Sequence, residues 1–205
     1  MADLIDSYSE SNYSTLEGIY GGSVEGYAQS FTGAAKKITS CKFYLTKTNS
    51  PTGNIVAKLY AHTGTFGTSS KPTGSALAVS DNVDVATVSS VTIDLHEFTF
   101  SGTNQYSMSA STKYCIAIEF TGGDSSNKLY AGTDTSSPTA NGNSAYLFSS
   151  DWYESDSEDM CFYVYGEAAA AGPANVKTYK GLAAASVKTK KGLAVASIKS
   201  VKGVV

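Results

Sequence analysis

Cys41-Lys42-Phe43-Tyr44-Leu45-Thr46 and Ile55-Val56-Ala57-Lys58-Leu59-Tyr60, joined through Ser50-Pro51-Thr52-Gly53, decide the fold class. In the first segment Cys41, Phe43 and Leu45 share one parity, and Lys42, Tyr44 and Thr46 the other. In the second, Ile55, Ala57 and Leu59 alternate with Val56, Lys58 and Tyr60. A repeat of two is the period at which side chains swap faces of a β-strand. Ser, Pro and Gly at the first, second and fourth positions of the linking tetrapeptide are what a type I turn favours. The stretch therefore reads as two antiparallel strands, each burying one face.

The same grammar extends in both directions. Pro72-Thr73-Gly74 reads as a second turn, leading into a short strand from Ala76 to Val79. Tyr114, Ile116, Ile118 and Phe120 form an inward row, with Cys115, Ala117 and Glu119 facing away. Gly122-Gly123-Asp124 turns the chain into Lys128 to Ala131. Tyr146 to Phe148 and Met160 to Tyr165 complete the set, the latter with Met160, Phe162 and Val164 toward the core. Val91, Ile93 and Leu95 have one parity and Phe98 and Phe100 the other, which predicts a β-bulge near His96–Glu97. About nine strands and no helix of any length predict an all-β fold. Two packed antiparallel sheets in a jelly-roll-like β-sandwich over residues 27–167 are the economical solution. Residues 1–26, polar and marked by Tyr8, Tyr13 and Tyr20 ahead of Tyr27, read as an extended lead-in lying along the body, the tyrosine hydroxyls left wet.

Charge is divided unevenly. All eighteen acidic residues lie at or before Glu167, whereas seven of the fifteen lysines lie at or after Lys177. Arg is absent, which argues against sequence-specific DNA reading, so no specific nucleic-acid partner is expected. An acidic protein neighbour is the expected counterpart of the basic tail. No apolar run reaches the roughly 18 residues of a membrane span, so no membrane partner is expected. Met1 to Asp6 lacks the basic start and apolar run of a signal peptide. Cys41, Cys115 and Cys161 have no CxxC spacing and read as buried free thiols, or alternatively as one disulfide and one thiol.

The tail repeats itself. Val176-Lys-Thr-Tyr-Lys-Gly-Leu-Ala-Ala-Ala-Ser186 is followed by Val187-Lys-Thr-Lys-Lys-Gly-Leu-Ala-Val-Ala-Ser197 and a broken third copy, Ile198 to Val205. The eleven-residue period keeps Gly181, Gly192 and Gly203 in phase. Eleven is also the period of a right-handed helical supercoil, but a glycine in every repeat and β-branched Val, Ile and Thr oppose a helix. Short strands, Leu182 to Thr189 and Leu193 to Ser200, with Lys-Gly at the turns, are expected, docking by strand addition. Residues 168–175, rich in Ala with Gly172-Pro173, read as a linker. The expected assembly interface comprises Lys177, Leu182, Val187, Lys188, Leu193, Val195, Ile198, Lys199 and Val201.

Catalytic patterns are sparse. His62 and His96 are the two histidines, neither beside a GxSxG motif, and both read as exposed loop or strand residues. There is no HExxH, P-loop or dinucleotide fingerprint, and no cofactor is expected. Asp151, Glu154, Asp156, Glu158 and Asp159 read as a solvated loop, with a structural calcium or a glycosidase-like acid pair as weaker readings. Trp152 and Tyr153 are the candidate glycan contacts, against a plain reading in which Trp152 closes one end of the sandwich.

Several phrases resemble a β-sandwich of tailed-bacteriophage virion proteins and their prophage relatives. They are Ala28-Gln-Ser-Phe-Thr-Gly33, Ser50 to Tyr60, Lys71-Pro-Thr-Gly-Ser-Ala-Leu-Ala78, and Asp151-Trp152 followed by Asp159 to Gly166. Together they cover roughly residues 20–166. The Lys-Gly-Leu-Ala-x-Ala-Ser-Val/Ile-Lys repeats look like those ending many phage structural proteins, with Lys180, Lys191 and Lys202 where Asn is usual. The resemblance implies a structural role on the particle, with coat or tail proteins and other copies of the chain as partners, and carries no catalytic residues. The expectation is thus a non-enzymatic virion component, made in the host cytoplasm. The alternative is a carbohydrate-binding module.

Overall fold

The computed structural model describes residues 2–168 together with the pairs 178–179, 182–183, 189–190 and 193–194. The chain divides into two compact units, Met1–Glu167 and Ala168–Val205. The first is a two-sheet antiparallel β-sandwich, with no α-helix among the described residues.

In chain order its strands are β1 (Asp3–Tyr8), β2 (Thr15–Ile19), β3 (Val24–Thr32), β4 (Lys36–Thr48), β5 (Asn54–Thr63), β6 (Lys71–Val79), β7 (Val83–Asp84) and β8 (Asp94–Thr99). They continue with β9 (Lys113–Glu119), β10 (Lys128–Asp134), β11 (Ser144–Phe148), β12 (Asp151–Ser155), β13 (Asp159–Met160) and β14 (Phe162–Ala168). One sheet runs β1-β14-β4-β10-β13, with β2 on β10 and β8 on β4. The other runs β12-β11-β3-β9-β5-β6, with β7 on β5.

The inward rows meet in one core. Cys41, Phe43, Leu45, Phe98, Phe100, Leu129, Phe162 and Val164 come from the first sheet, and Phe31, Ile55, Leu59, Ile116, Ile118 and Phe120 from the second. The period-two reading of β4, β5 and β9 therefore holds residue by residue. Cys41, Cys115 and Cys161 are all buried free thiols. Burial pushes each thiol up, Cys161 to about 12, so none is a ready nucleophile.

Several expectations are corrected. Residues 1–26 are no lead-in: β1 pairs with β14 and β2 with β10, so the sandwich begins at Asp3 rather than Tyr27. Tyr8 and Tyr27 are buried, and their hydroxyls donate to Asp134 and Glu17 instead of to water. The body holds fourteen strands, because β1, β2, β7, β12 and β13 are short or polar edge pieces that a periodicity test passes over. No bulge forms near His96. β8 pairs with β4 in unbroken register from Ser40↔Thr99 to Leu45↔Asp94. The parity conflict is resolved by abandoning one set: Phe98 and Phe100 are buried, whereas Val91 lies in a loop, 91% exposed.

Pro72-Thr73-Gly74 is likewise not a turn between strands but part of a bulge inside β6. Ala61 faces Thr73 and Leu59 faces Ala78, so residues 74–77 stand opposite Tyr60 alone. Gly74 takes a φ of 69°, which a residue without Cβ adopts freely. The Ser50–Gly53 link is held by neighbours rather than by its own turn. Asn49 Nδ2 donates to the Ser126 carbonyl at 2.8 Å, and Val85 N–H donates to the Gly53 carbonyl at 3.0 Å.

The second sheet is covered on both faces. Its outer face carries Gly26, Ala28 and Ser30 on β3, facing Glu119, Ala117 and Cys115 on β9. Beyond β9 these meet Val56, Lys58 and Tyr60 on β5. On the far side Leu147 and Ala145 continue the face to Trp152 and Glu154 of β12. The middle of this face is small, so the sheet curls toward it. Trp152 and Tyr60 stand four strand steps apart, roughly 19 Å in a flat sheet, yet their ring centroids lie 6.0 Å apart. The edge strands β6 and β12 approach closely enough for Lys71 to pair with Glu154 at 3.6 Å. Ala28, Tyr60, Cys115 and Ala117, with Ala76 and Trp152 against them, form a second small core there. Gly26 is required in this floor, since a Cβ would sit 2.7 Å from the Ile118 carbonyl.

The unit Ala168–Val205 contains two minimal hairpins, β15 (Thr178–Tyr179) with β16 (Leu182–Ala183), and β17 (Thr189–Lys190) with β18 (Leu193–Ala194). Lys180-Gly181 and Lys191-Gly192, between the paired residues in sequence, lie outside the described residues. Of the expected strands Leu182 to Thr189 and Leu193 to Ser200, residues 184–188 and 195–200, like the linker beyond Ala168, lie outside the described residues.

Ala117 tests the curled face directly. Ala117→Leu pushes a larger side chain into a fully buried floor and is expected to cost about 1–3 kcal/mol in urea denaturation. Val91→Asp is expected to stay within about 0.5 kcal/mol of the parent.

Candidate functional site

Asp151–Ser155 is a strand, β12, and not a solvated loop, which separates the two candidate glycan contacts. Adjacent residues of a strand point to opposite faces. Trp152 goes to the outer face and packs edge-on against Tyr60 at 65°. Tyr153 goes to the inner face and stacks on Tyr146, with centroids 5.5 Å apart and planes at 20°. The two do not make one platform. Trp152 closes the outer small core rather than an end of the sandwich.

Beneath Trp152 the outer face holds a compact polar group. Glu119, 7% exposed, accepts from Lys58 Nζ at 2.5 Å and from Tyr60 hydroxyl at 2.6 Å. Both carboxylate oxygens are engaged, as a buried charge requires. Burial, then the bond to Glu119, pushes the Tyr60 phenol well above its usual range. This group fixes the central strands.

The acidic run is dispersed. Asp151 and Asp156 are exposed, and Glu154 faces Lys71. Asp159 is buried, accepting from Gln29 Nε2 at 2.7 Å and from Ala140 N–H at 2.8 Å. Asp134, its cross-strand partner, accepts from Tyr8 hydroxyl, Ser136 and Ser137. Burial works to raise the Asp134 carboxyl but is outweighed by those donors, which hold it well below the usual range. Together these two carboxylates tie down the loop 135–143. Among the described residues no three His, Cys, Asp or Glu side chains are arranged to hold a metal ion.

His62 lies on β5, with Nε2 at 2.9 Å from Ser70 Oγ. The pair superficially suggests an activated serine. Ser70 is fully buried, its hydroxyl also lies 3.3 Å from the Thr65 carbonyl, and no carboxylate bonds the ring among the described residues. The contact anchors the 64–70 loop. His96 sits half-buried on β8, its Nε2 without a partner, and burial lowers its pKa. A polar pocket opens between β1 and the 139–142 loop, lined by Asp6, Tyr8 and Thr139 among others. Both Asp6 oxygens already accept, from the Ser7 and Thr32 backbone.

One arrangement escaped the sequence. β2 and β3 are consecutive but belong to different sheets, so the turn at 20–23 brings Glu17 against Tyr27 across the gap. The Tyr27 hydroxyl donates to Glu17 Oε2 at 3.1 Å. Tyr27, Tyr146 and Tyr153 form one cross-strand row, from buried Tyr27 to Tyr153 at 41% exposure. Glu158 joins from the segment before β13. Its Oε1 is buried, as is Oγ1 of fully buried Thr133, which bears on the Glu158 carboxyl. Burial, then the Glu17 carboxylate, pushes Glu158 up to about 7, with Thr133 opposing the rise. Only the fold joins positions 17, 27, 146 and 158, so no local motif announces them.

Of the expected assembly residues, Leu182 and Leu193 lie in the paired positions of the hairpins. Lys177, Val187, Lys188, Val195, Ile198, Lys199 and Val201 lie outside the described residues. No protein-family model matches the chain, and no curated protein matches it.

Glu158 gives a pH prediction. Its folded pKa is raised above 4.5, so the stability it contributes is fully present below that value and is lost as pH rises through about 7. Asp159, also raised by burial, adds in the same direction, while Asp134 works oppositely in acid. Thermal unfolding is expected to show falling stability from about pH 5 to about pH 8. Glu158→Gln is expected to reduce that slope and raise the melting temperature at the alkaline end; an unchanged slope rejects the assignment.

Proposed function

We propose that this chain is a non-enzymatic structural component of a bacteriophage particle. Its sandwich is displayed on the surface, and its C-terminal repeats anchor it to the coat or to other copies. One observation carries the reading: both complete repeats close the same minimal hairpin, Thr178↔Ala183 with Tyr179↔Leu182, and Thr189↔Ala194 with Lys190↔Leu193. An isolated two-stranded hairpin is at best marginally stable in water. Such units gain stability by adding strands or faces to something larger.

Charge supports the same division. The tail carries seven lysines and no acid, and the residues before it carry eighteen acids. Opposite signs on separate units favour contacts between molecules and weaken with salt. Multiplied over many copies, modest apolar burial and a few lysine contacts per copy give firm attachment. The location of the proposed partners follows from this role: a virion surface, with coat or tail proteins alongside.

The test is deletion of residues 172–205. The truncated protein is expected to keep the melting temperature of the sandwich and to be lost from assembled particles. Light scattering after size exclusion is expected to show a smaller assembly than the full chain forms. Full occupancy of particles by the truncated protein would overturn the proposal.

A further inference from the structure

The edge of the sandwich between β2 and the β11–β12 hairpin combines features that nothing in the structural role uses. An aromatic wall emerges there: Tyr153 stacked on Tyr146, with Phe148 two residues further along β11 on the same face and 43% exposed. At the inner end of this wall lie hydrogen-bonding groups that remain partly unused. Glu17 is half-buried, and its one recorded bond is the Tyr27 hydroxyl on Oε2. Glu158 and fully buried Thr133 lie beneath it and bear on each other. Glu17 Oε1 is thus left to accept from a ligand at the open edge.

The two halves of the site set the chemistry of the ligand. A flat tyrosine face without a fixed cation favours the C–H face of a ring. Ionised carboxylates only accept, so the ligand must bring hydroxyl donors along its edge. A pyranose offers both, with an apolar face and equatorial hydroxyls around it.

We propose that this edge binds the pyranose ring of a glycan, stacked on Tyr153 at the exposed end of the tyrosine row, with its hydroxyls on Glu17. The site is distinct from Trp152, which is spent on the outer core. It goes beyond the assembly role and does not depend on it, since it lies wholly within the sandwich.

The experiment uses the full-length protein in saturation-transfer NMR. The probes are methyl β-glucoside, methyl β-galactoside, N-acetylglucosamine and glucosamine at millimolar concentration, with choline and lysine as cationic comparisons. Saturable binding of at least one sugar is expected. Tyr153→Ala and Glu17→Gln are each expected to weaken it by about tenfold, the equivalent of one lost stacking or charge-assisted contact. Trp152→Ala is expected to leave it within about twofold. Tyr153 is an exposed edge residue, so its variant decides the matter even if Glu17→Gln fails to fold. Absence of sugar binding overturns the proposal, as does preference for choline or lysine. Binding lost in Trp152→Ala but kept in Tyr153→Ala would place the ligand on the outer face and equally overturn it.

Discussion

The small outer row of β3 and β9 is the constraint on which the sandwich turns. Gly26, Ala28 and Ser30 on one strand meet Glu119, Ala117 and Cys115 on the next. A strand this poor in bulk on one face lets the sheet bend toward that face. The bend brings Trp152 over Tyr60 and β12 within reach of β6. With larger residues there, the sheet would flatten, Trp152 would face water, and β6 and β12 would be two open edges. The bulge in β6 belongs to the same solution, because the extra residues 74–77 carry Ala76 onto the outer core. Curvature thus follows from side-chain volume on the side away from the main core. It also explains why β9 reads as half-buried by pattern while all of its residues from Tyr114 to Glu119 are buried.

Buried polar groups fall into two kinds. Glu119, Asp134 and Asp159 are saturated with donors, and each fixes a specific piece of chain: the β5–β9 contact, the 135–137 turn and the approach of Ala140. Glu17, with only Oε2 engaged by the Tyr27 hydroxyl, is not saturated. Saturated groups rigidify and specify a fold. Unsaturated ones at an open edge, beside exposed aromatics, are where a site is expected rather than where the fold is held.

The inner rows were legible in the sequence because strict alternation with Phe, Ile and Leu leaves one consistent reading. Cys41, Phe43 and Leu45, and Ile55, Ala57 and Leu59, are buried as their parity requires. What was lost has physical reasons. β1 and β2 are edge strands of mixed polarity, whose partners β14 and β10 lie more than a hundred residues away. β12 looks like a loop because it is an exposed edge strand with a charge on each face, of which Glu154 pairs with Lys71. The Val91, Ile93 and Leu95 series suggested a bulge, whereas the fold leaves Val91 exposed, a choice no local pattern encodes. The Glu17, Tyr27 and Glu158 group depends on a crossing between sheets, so it is invisible until the topology is known.

The edges of the body bear on how the proposed anchoring can be selective. A free strand edge invites pairing with any other strand, and charges or bulges discourage it. β1 breaks register between Leu4 and Asp6 and carries Asp3 beside Lys36. β8, on the outside of β4, presents Asp94 and Glu97. β6 and β12 partly cover each other through Lys71 and Glu154. These devices oppose edge-to-edge pairing of identical acidic bodies. Lysine-rich repeats meet the opposite situation, since acidic edges attract them. On the proposed reading, one charge pattern therefore does two jobs: it keeps sandwiches apart and leaves the repeats as the segment through which copies can be joined.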